Sequence, residues 1–256
     1  MHTRLGFRCQ AAGEYWVNVR FLPAGDTAVI VEFGDRIDRA VSDRVLHLSA
    51  LVRAANLRGV VETVPTFRSL LVHYDPLATD SANLTAAIEN LLDTSRGEAQ
   101  PVKLWRIPAC YAASHAPDLA EVAQRTGLSA AEVVRLHSGM RYHVYMIGFV
   151  PGYPYMGDLA ERLVLPRRAD PRVRVPAGSI AIATTMTAIY PLESPGGWHL
   201  IGATPIRLFD LRWRSPALFS PGDAVQFEPI AAEEFDAIRA AVAGDAYQVP
   251  CAMITP

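Results

Sequence analysis

The spacing of apolar residues predicts strands and helices in the N-terminal part of the chain. Residues 17–33 hold two apolar segments around a glycine turn, which is typical of two short strands. In residues 38–55 the apolar positions recur every three or four residues, so they share one face of a helix. Residues 60–64 and 69–74 read as strands, and Ser81 can cap a last helix. This order of elements predicts a small α+β domain over residues 16–93.

The pattern changes after a polar stretch, residues 94–101, which we interpret as a linker. Residues 102–256 form the second predicted domain and begin with a strand at 102–107. Two helices follow, in which Asp118 with Glu121 and Ser129 with Glu132 have the spacing of capping boxes. The other apolar segments are short and separated by glycine and proline turns, at 142–149, 179–184, 198–201, 205–209 and 224–227, before a last helix at 233–243. Short strands of this kind predict a closed or nearly closed antiparallel β-barrel.

Composition and charge argue against several classes of protein. Half of the 256 residues are hydrophobic and the net charge is -2, so the chain can form a core and has no general attraction for nucleic acid. Three widely spaced cysteines fit neither a disulfide framework nor a zinc site. Residues 1–15, predicted to be a flexible extension, lack the apolar core of a signal peptide, and no run of about 20 apolar residues follows. We therefore expect a cytoplasmic protein that does not enter a membrane.

Several common catalytic motifs are absent from the sequence. No Gly-Lys-Ser or Gly-Lys-Thr triplet could form a phosphate-binding loop, and neither H-E-x-x-H nor G-x-S-x-G occurs. The histidines and cysteines lack the spacing of metal ligands, so no metal site is expected. ATP chemistry in this chain would therefore need an unfamiliar site or a partner.

An arginine-rich segment is the first candidate for a binding site. Four arginines fall within the eight residues 167–174. Arginine can hold a carboxylate or phosphate through two parallel hydrogen bonds, so Arg167 and Arg168 are candidates for an anion clamp. The alternative is a solvated loop in which arginines pair with Asp170 or Glu161.

Three other segments each allow a functional and a structural interpretation. Consecutive glycines before Trp198 would let backbone amides approach a ligand, or would form a hairpin turn. Ser179 or Thr187 could be a nucleophile with a nearby histidine as base, or could lie at a turn. The aromatic residues of 149–155 suit a pocket wall or partner interface, or a stiff barrel corner.

Taken in order, these segments resemble one known family. The matching runs are PDL from Pro117, HS from His137, YHVYMIGFVPG from Tyr142, PRR from Pro166, VPAGS from Val175, IYP from Ile189, SPGGW from Ser194 and FSPGD from Phe219. Together they are similar to the subunit-B family of the bacterial ATP-dependent 5-oxoprolinases, also called allophanate hydrolase subunit 1 or KipI-like proteins.

The resemblance implies a fold, a reaction and partners. It implies a ferredoxin-like domain over residues 16–93 and a cyclophilin-like barrel over residues 102–256. The implied reaction is the ATP-driven opening of the lactam of 5-oxo-L-proline to L-glutamate, with ATP as co-substrate. The implied partners are a subunit-C or allophanate hydrolase subunit 2 homologue and a third protein, a subunit-A homologue of TIM-like fold.

The resemblance also implies roles for individual residues. Arg167 and Arg168 would hold an anionic group, and His137 would transfer a proton. The walls of a substrate or nucleotide pocket would come from Gly178, Ser179, Thr187, Tyr190, Gly196, Gly197 and Trp198.

Two stretches depart from the family pattern at the expected pocket. The family commonly has Gly, any residue, Gln, Thr and Gly before Ile-Tyr-Pro, whereas residues 184–188 read Thr-Thr-Met-Thr-Ala. Residues 112–116 replace a glycine-rich turn. The substrate is therefore left open between 5-oxoproline and another amide. Two other functions are also left open: a KipI-like inhibitor that binds a histidine kinase, and the carboxyltransferase half of a urea or allophanate pathway enzyme.

Overall fold

The computed structural model describes residues 5–6, 18–93 and 101–255, and the chain divides into two compact units, Met1–Ala99 and Gln100–Pro256. The described helices and strands confirm the predicted α+β class. The predicted extension, residues 1–15, lies outside the described residues except for Leu5–Gly6. The predicted linker, residues 94–101, lies outside them except for Pro101.

The first unit is a five-stranded antiparallel sheet with two helices. Its elements are β1 (Leu5–Gly6), β2 (Asn18–Pro23), β3 (Ala28–Glu32), α1 (Arg39–Ala55), β4 (Val60–Pro65), β5 (Ser69–Tyr74) and α2 (Ser81–Asp93). The strand order is β1-β2-β3-β5-β4. Because β5 pairs antiparallel with both β3 and β4, those two strands run in the same direction. The helix α1 therefore connects two parallel strands across an intervening one, which is a split β-α-β unit.

The core of this unit follows the predicted periodicity. In α1 the side chains of Val45, Leu48 and Val52 are buried, as the helical spacing predicts. In β5 Leu70 and Val72 are buried between partly exposed neighbours, as the strand alternation predicts. These side chains belong to one hydrophobic cluster, so the sheet and the helix cover each other's apolar face.

The second unit is a closed barrel with three α-helices. Its elements are β6 (Val102–Cys110), α3 (Leu119–Thr126), α4 (Ala130–Ser138), β7 (Tyr142–Ile147), β8 (Pro154–Gly157), a 3-10 helix (Glu161–Leu163), β9 (Arg172–Val175), β10 (Ser179–Ala183), β11 (Met186–Ile189), β12 (Ser194–Gly196), β13 (His199–Ala203), β14 (Ala224–Ile230), α5 (Ala232–Ala243) and β15 (Cys251–Ile254). Seven strands form the ring in the order β13-β10-β11-β8-β7-β14-β6, which the pair Ala203–Cys110 closes. Outside the ring, β15 pairs with β6, and β9 and β12 form a separate ribbon.

Two details of the predicted barrel are wrong. The barrel is mixed and not antiparallel, because β6 and β14 run parallel from Leu104 to Cys110. A ring with an odd number of strands cannot alternate in direction all the way round, so at least one pair must be parallel. Residues 205–209 do not form a strand, and only Phe209 makes an isolated bridge. Pro205 has no N–H to donate to a ladder, which disfavours a strand there.

One of the two predicted capping boxes is present. The Ser129 hydroxyl accepts from the amide of Glu132 at 3.2 Å, and the Glu132 carboxylate accepts from the amide of Ser129 at 2.8 Å. At the start of α3 the side chain of Asp118 makes no capping hydrogen bond. Its carboxylate has other partners, which define part of the site described below.

The turn between β10 and β11 supplies a test of backbone strain. Thr184 begins this two-residue turn with a φ of 52°, a conformation that is costly for a residue with a β-carbon and easy for glycine. We expect Thr184→Gly to have a free energy of unfolding about 1 kcal/mol higher than Thr184→Ala. Both variants lose the threonine hydroxyl, so the difference between their free energies of unfolding, measured by chemical denaturation, reports the effect of the β-carbon alone. Equal stability of the pair would show that the turn is not strained.

Candidate substrate-binding site

The arginines of residues 167–174 differ in their surroundings. Arg168 and Arg172 both pair with Asp118, and Arg174 pairs with an exposed glutamate. None of these three uses the partners expected from the local sequence. Arg167 is exposed, and across residues 19–92 and 101–255 it has neither an ion pair nor a hydrogen-bonded carboxylate. The segment therefore contains one available guanidinium beside three that are already paired.

The carboxylate of Asp118 holds two of these arginines. Asp118 is only 3% exposed, and it accepts two hydrogen bonds from Arg172, at 2.6 and 2.9 Å. The amide of Leu200 donates to it at 2.7 Å, and Arg168 donates at 3.3 Å. A buried carboxylate is tolerated only when it is paired and hydrogen-bonded in this way. The bonds join the start of α3, the arginine segment and β13.

An aromatic cluster, which we define as Tyr153, Tyr155, Tyr190 and Trp198, forms around the ring of Tyr153. The ring centroid of Tyr153 is 5.0 Å from that of Tyr155, 5.1 Å from that of Tyr190 and 6.3 Å from that of Trp198. Three of the four side chains are buried, and that of Tyr155 is half-buried. Edge-to-face contacts of this kind stabilise a fixed aromatic wall.

The charge of Arg167 acts on the phenols of the aromatic cluster. Burial raises the pKa of Tyr153, Tyr155 and Tyr190, and the charge of Arg167 opposes that rise at all three. A hydrogen bond between Tyr153 and Tyr190 adds to the rise in the pKa of Tyr153 and opposes the rise at Tyr190. A cation, a phenolic donor and an aromatic wall together suit a small organic anion.

The two glycines before Trp198 have distinct roles. A β-carbon on Gly196 would lie 2.2 Å from the hydroxyl oxygen of Tyr190, so a side chain there would displace this phenol. The carbonyl of Gly197 accepts a hydrogen bond from the amide of Arg168 at 2.8 Å. The glycine loop thus touches both the aromatic cluster and the arginine segment.

The structure does not bring His137 and Thr187 to the aromatic cluster. His137 is fully buried, with Nε2 2.9 Å from the hydroxyl of Thr187 and Nδ1 2.7 Å from the hydroxyl of Tyr111. Because Thr187 donates to the carbonyl of Ala181, it must accept from Nε2, and Nδ1 then accepts from Tyr111. Burial lowers the pKa of His137 to about 3, so the imidazole is neutral. The role in proton transfer stays a prediction.

The buried imidazole makes the stability of the fold depend on pH. The pKa of His137 is lower in the folded chain, about 3, than its ordinary value of 6.5, so the unfolded chain binds this proton more readily. Acidification therefore favours unfolding. Between pH 6.5 and about pH 5 we expect this group to remove roughly 1.5 kcal/mol from the free energy of unfolding. Chemical denaturation should show that loss in the native chain and a smaller pH dependence in His137→Gln. The same pH dependence in both would contradict this account.

Gly178 and Ser179 line a separate cavity of about 570 Å³. Its walls come from the start of β10, the segment after β13 and the helix α5. Gly178 has a φ of 83°, and a β-carbon there would lie 2.4 Å from the carbonyl oxygen of Thr204, so the crossing of these segments requires glycine. The predicted pocket residues are thus divided among the aromatic cluster, the barrel core and this cavity.

Asp118 and Arg172 are parts of the site that the sequence pattern does not predict. The spacing of Asp118 to Glu121 is that of a helix cap, so the sequence predicts a cap and gives no indication of the ion pair between Asp118 and Arg172. A usable signal was the repeated Pro-Arg dipeptide at 166–167 and 171–172, which suggests that two arginines have set positions. For Tyr153 and Tyr155 the sequence predicts only that they belong to an aromatic segment.

The described residues include neither a cluster of metal ligands nor a membrane-spanning helix. Within residues 19–92 and 101–255, no group of three or more His, Cys, Asp or Glu side chains is arranged to hold a metal ion. None of the described helices is both long enough and apolar enough to span a bilayer. Cys110 and Cys251 are free thiols, and Cys9 lies outside the described residues.

The family comparison matches most of the chain. The profile of the carboxyltransferase domain, subdomain C and D, matches residues 19–219, and the chain belongs to this family. Among curated proteins, the subunit-B protein of 5-oxoprolinase from Bacillus subtilis (strain 168) is 34% identical over 84% of this chain and 94% of its own length. The protein of the same name from Escherichia coli O157:H7 is 39% identical over 80% of this chain and 93% of its own length. These relatives are by name single subunits of an enzyme, and the predicted resemblance is confirmed.

A solved structure shares the fold at low sequence identity. The crystal structure of the Kluyveromyces lactis urea carboxylase superposes on 98% of this chain with a TM-score of 0.78 and 20% identity. The matched region is 25% of that protein. The likeness supports the α+β architecture.

Proposed function

We propose that this chain is the subunit-B component of an ATP-dependent 5-oxoprolinase. The reaction converts 5-oxo-L-proline, ATP and two molecules of water to L-glutamate, ADP and phosphate. The proposal is supported by relatives of that name that match over most of their length. One structural observation supports a role for this chain in the reaction. Arg167 has no ion-pair partner among the described residues, and its charge acts on the phenols of the aromatic cluster.

The reaction needs an activated amide. A lactam is a poor electrophile, so transfer of the terminal phosphoryl group of ATP to the amide oxygen would create a leaving group. A first water would then add to the same carbon, and the ring C–N bond would break as nitrogen takes a proton, which leaves an acyl phosphate. A second water would hydrolyse that acyl phosphate to the carboxylate of glutamate and free phosphate. Negative charge moves through the phosphoryl oxygens during the transfer, and arginine side chains and fixed donors stabilise such charge.

The available groups suit this chemistry. Arg167 has no carboxylate to neutralise it within the described residues, so its charge can act on a substrate carboxylate or phosphoryl group. The hydroxyl of Tyr190 adds a polar group, and Tyr155 and Trp198 supply apolar surface for a five-membered ring. Arg168, bound to Asp118, acts in this proposal as a support for the segment.

We extend the proposal to partners and compartment. Activity would require a subunit-C or allophanate hydrolase subunit 2 homologue and a TIM-like subunit-A homologue, with ATP bound between the chains. The names of the relatives and the absence of a phosphate-binding loop motif from the sequence support this arrangement. The cytoplasm is the proposed compartment.

The finer fold assignment is also a proposal. The N-terminal unit would be ferredoxin-like, which its split β-α-β unit supports. The barrel would be cyclophilin-like, which its seven-stranded closure with peripheral helices supports.

A second candidate function is the carboxyltransferase half of a urea or allophanate pathway enzyme. The description of the matched family favours it. Residues 1–256 contain no Met-Lys-Met biotin-attachment tripeptide, so the carrier would lie outside them. Dependence of phosphate release on 5-oxoproline would favour the first function, whereas dependence on urea and a biotinylated carrier would favour the second. Inhibition of a histidine kinase stays a prediction from the sequence.

The decisive variant is Arg167→Ala in the complex co-expressed with its two partner homologues. We expect phosphate release that depends on 5-oxoproline to fall about a hundredfold, because the main charge contact is lost. The complex should still assemble on size-exclusion chromatography, since Arg167 makes no ion pair within the described residues.

Arg174→Ala is the matched control for this experiment. It removes the same charge seven residues along, from an arginine paired with Glu193 on the exposed ribbon. Turnover should be close to native in this variant. Native turnover in Arg167→Ala would refute the proposed anion site. An assembled native complex that fails to respond to 5-oxoproline would point to another amide as substrate.

A further inference from the structure

We infer that Asp118 is a positioning residue that directs Arg167 to the aromatic cluster without touching the substrate. The inference rests on the proposed function for the importance of Arg167. It goes beyond that function because it attributes the position of Arg167 to the buried carboxylate of Asp118, which lies in another segment of the chain.

Asp118 is itself fixed to the barrel. Its amide donates to the carbonyl of Leu200 at 2.9 Å, and its carboxylate accepts from the amide of Leu200 at 2.7 Å. This reciprocal pair attaches Asp118 to β13, a strand of the closed ring. The carboxylate is therefore a fixed point from which the arginine segment can be held.

The residues on both sides of Arg167 are held in place. His199 donates from Nε2 to the carbonyl of Pro166 at 3.0 Å. On the other side, the amide of Arg168 donates to the carbonyl of Gly197 at 2.8 Å, and its guanidinium reaches Asp118. With the backbone held before and after it, the point from which the side chain of Arg167 extends is fixed.

The charge of Asp118 keeps this arrangement together. One carboxylate faces two guanidinium groups, and Arg172 directs two hydrogen bonds to it. Arg168 also reaches Glu121 at 3.1 Å, but that carboxylate is 44% exposed and so contributes less. Without the charge of Asp118, two neighbouring cations would repel each other and the segment would move.

Asp118 is a positioning residue and not a catalytic one. Each of its carboxylate oxygens already accepts two hydrogen bonds, from Arg168 and Arg172 at Oδ1 and from Arg172 and Leu200 at Oδ2. An ionised carboxylate has about four acceptor positions, so none is left for a substrate. Burial of the side chain also separates it from solvent.

A double-mutant cycle tests whether Asp118 acts through Arg167. In the assembled complex, Asp118→Asn should lower turnover roughly thirtyfold when Arg167 is present and less than about threefold in the Arg167→Ala background. A purely structural defect would lower turnover by the same factor in both backgrounds. Additive effects would therefore overturn the inference. Asp245→Asn, which disrupts an exposed ion pair with Arg212, is the control and should leave turnover near native.

Hydrogen exchange gives a readout that does not depend on the reaction. Amides of residues 167–170, 172 and 197–200 should exchange at least about tenfold faster in Asp118→Asn than in the native chain. Arg172→Gln breaks the same ion pair from its partly exposed side. If Asp118→Asn does not fold, the exchange of the same amides is measured in Arg172→Gln. Unchanged exchange in a folded variant would overturn the positioning role. Faster exchange together with native turnover in Arg167→Ala would retain the positioning role and refute only the proposed anion site.

Discussion

The burial of one carboxylate determines how the candidate site is assembled. Isolated in the interior, the charge of Asp118 would cost several kcal/mol, and pairing offsets this only when donors surround it. Those donors come from Arg168, Arg172 and the backbone of β13, which lie 50 or more residues from Asp118 in sequence. The helix α3, the arginine segment and the barrel strand must therefore take their places together. The position of the unpaired Arg167 follows from that assembly.

Much of the fold could be predicted from the sequence because much of it is set by local spacing. The buried face of α1 and the alternation of β5 follow from the geometry of one helix and one strand. The capping box of Ser129 is also local. Asp118 has the same spacing to its glutamate, yet guanidinium groups outcompete a backbone amide for its carboxylate. Local pattern cannot reveal a partner that comes from a distant segment.

The candidate site was predicted less completely, for a geometric reason. Tyr190 and Trp198 do meet Tyr153, and the glycine loop does contact them. Thr187 is only three residues before Tyr190, but its hydroxyl bonds to His137 in the barrel core. Gly178 lies beside a different cavity. Which face of a strand a residue occupies, and which strands are neighbours, depend on how the sheet closes, and the sequence carries little information on that.

The parallel pair of β6 and β14 has a consequence for synthesis of the chain. Leu104 pairs with Ala224, so the ribosome must make about 120 further residues after Leu104 before the two strands can meet. Closing a loop of that length costs about 4 kcal/mol of chain entropy. The pairs of the first unit are closer in sequence, so that unit can fold while the nascent barrel still has an open, apolar edge. During that interval the barrel strands are the part of the chain that chaperones would need to protect.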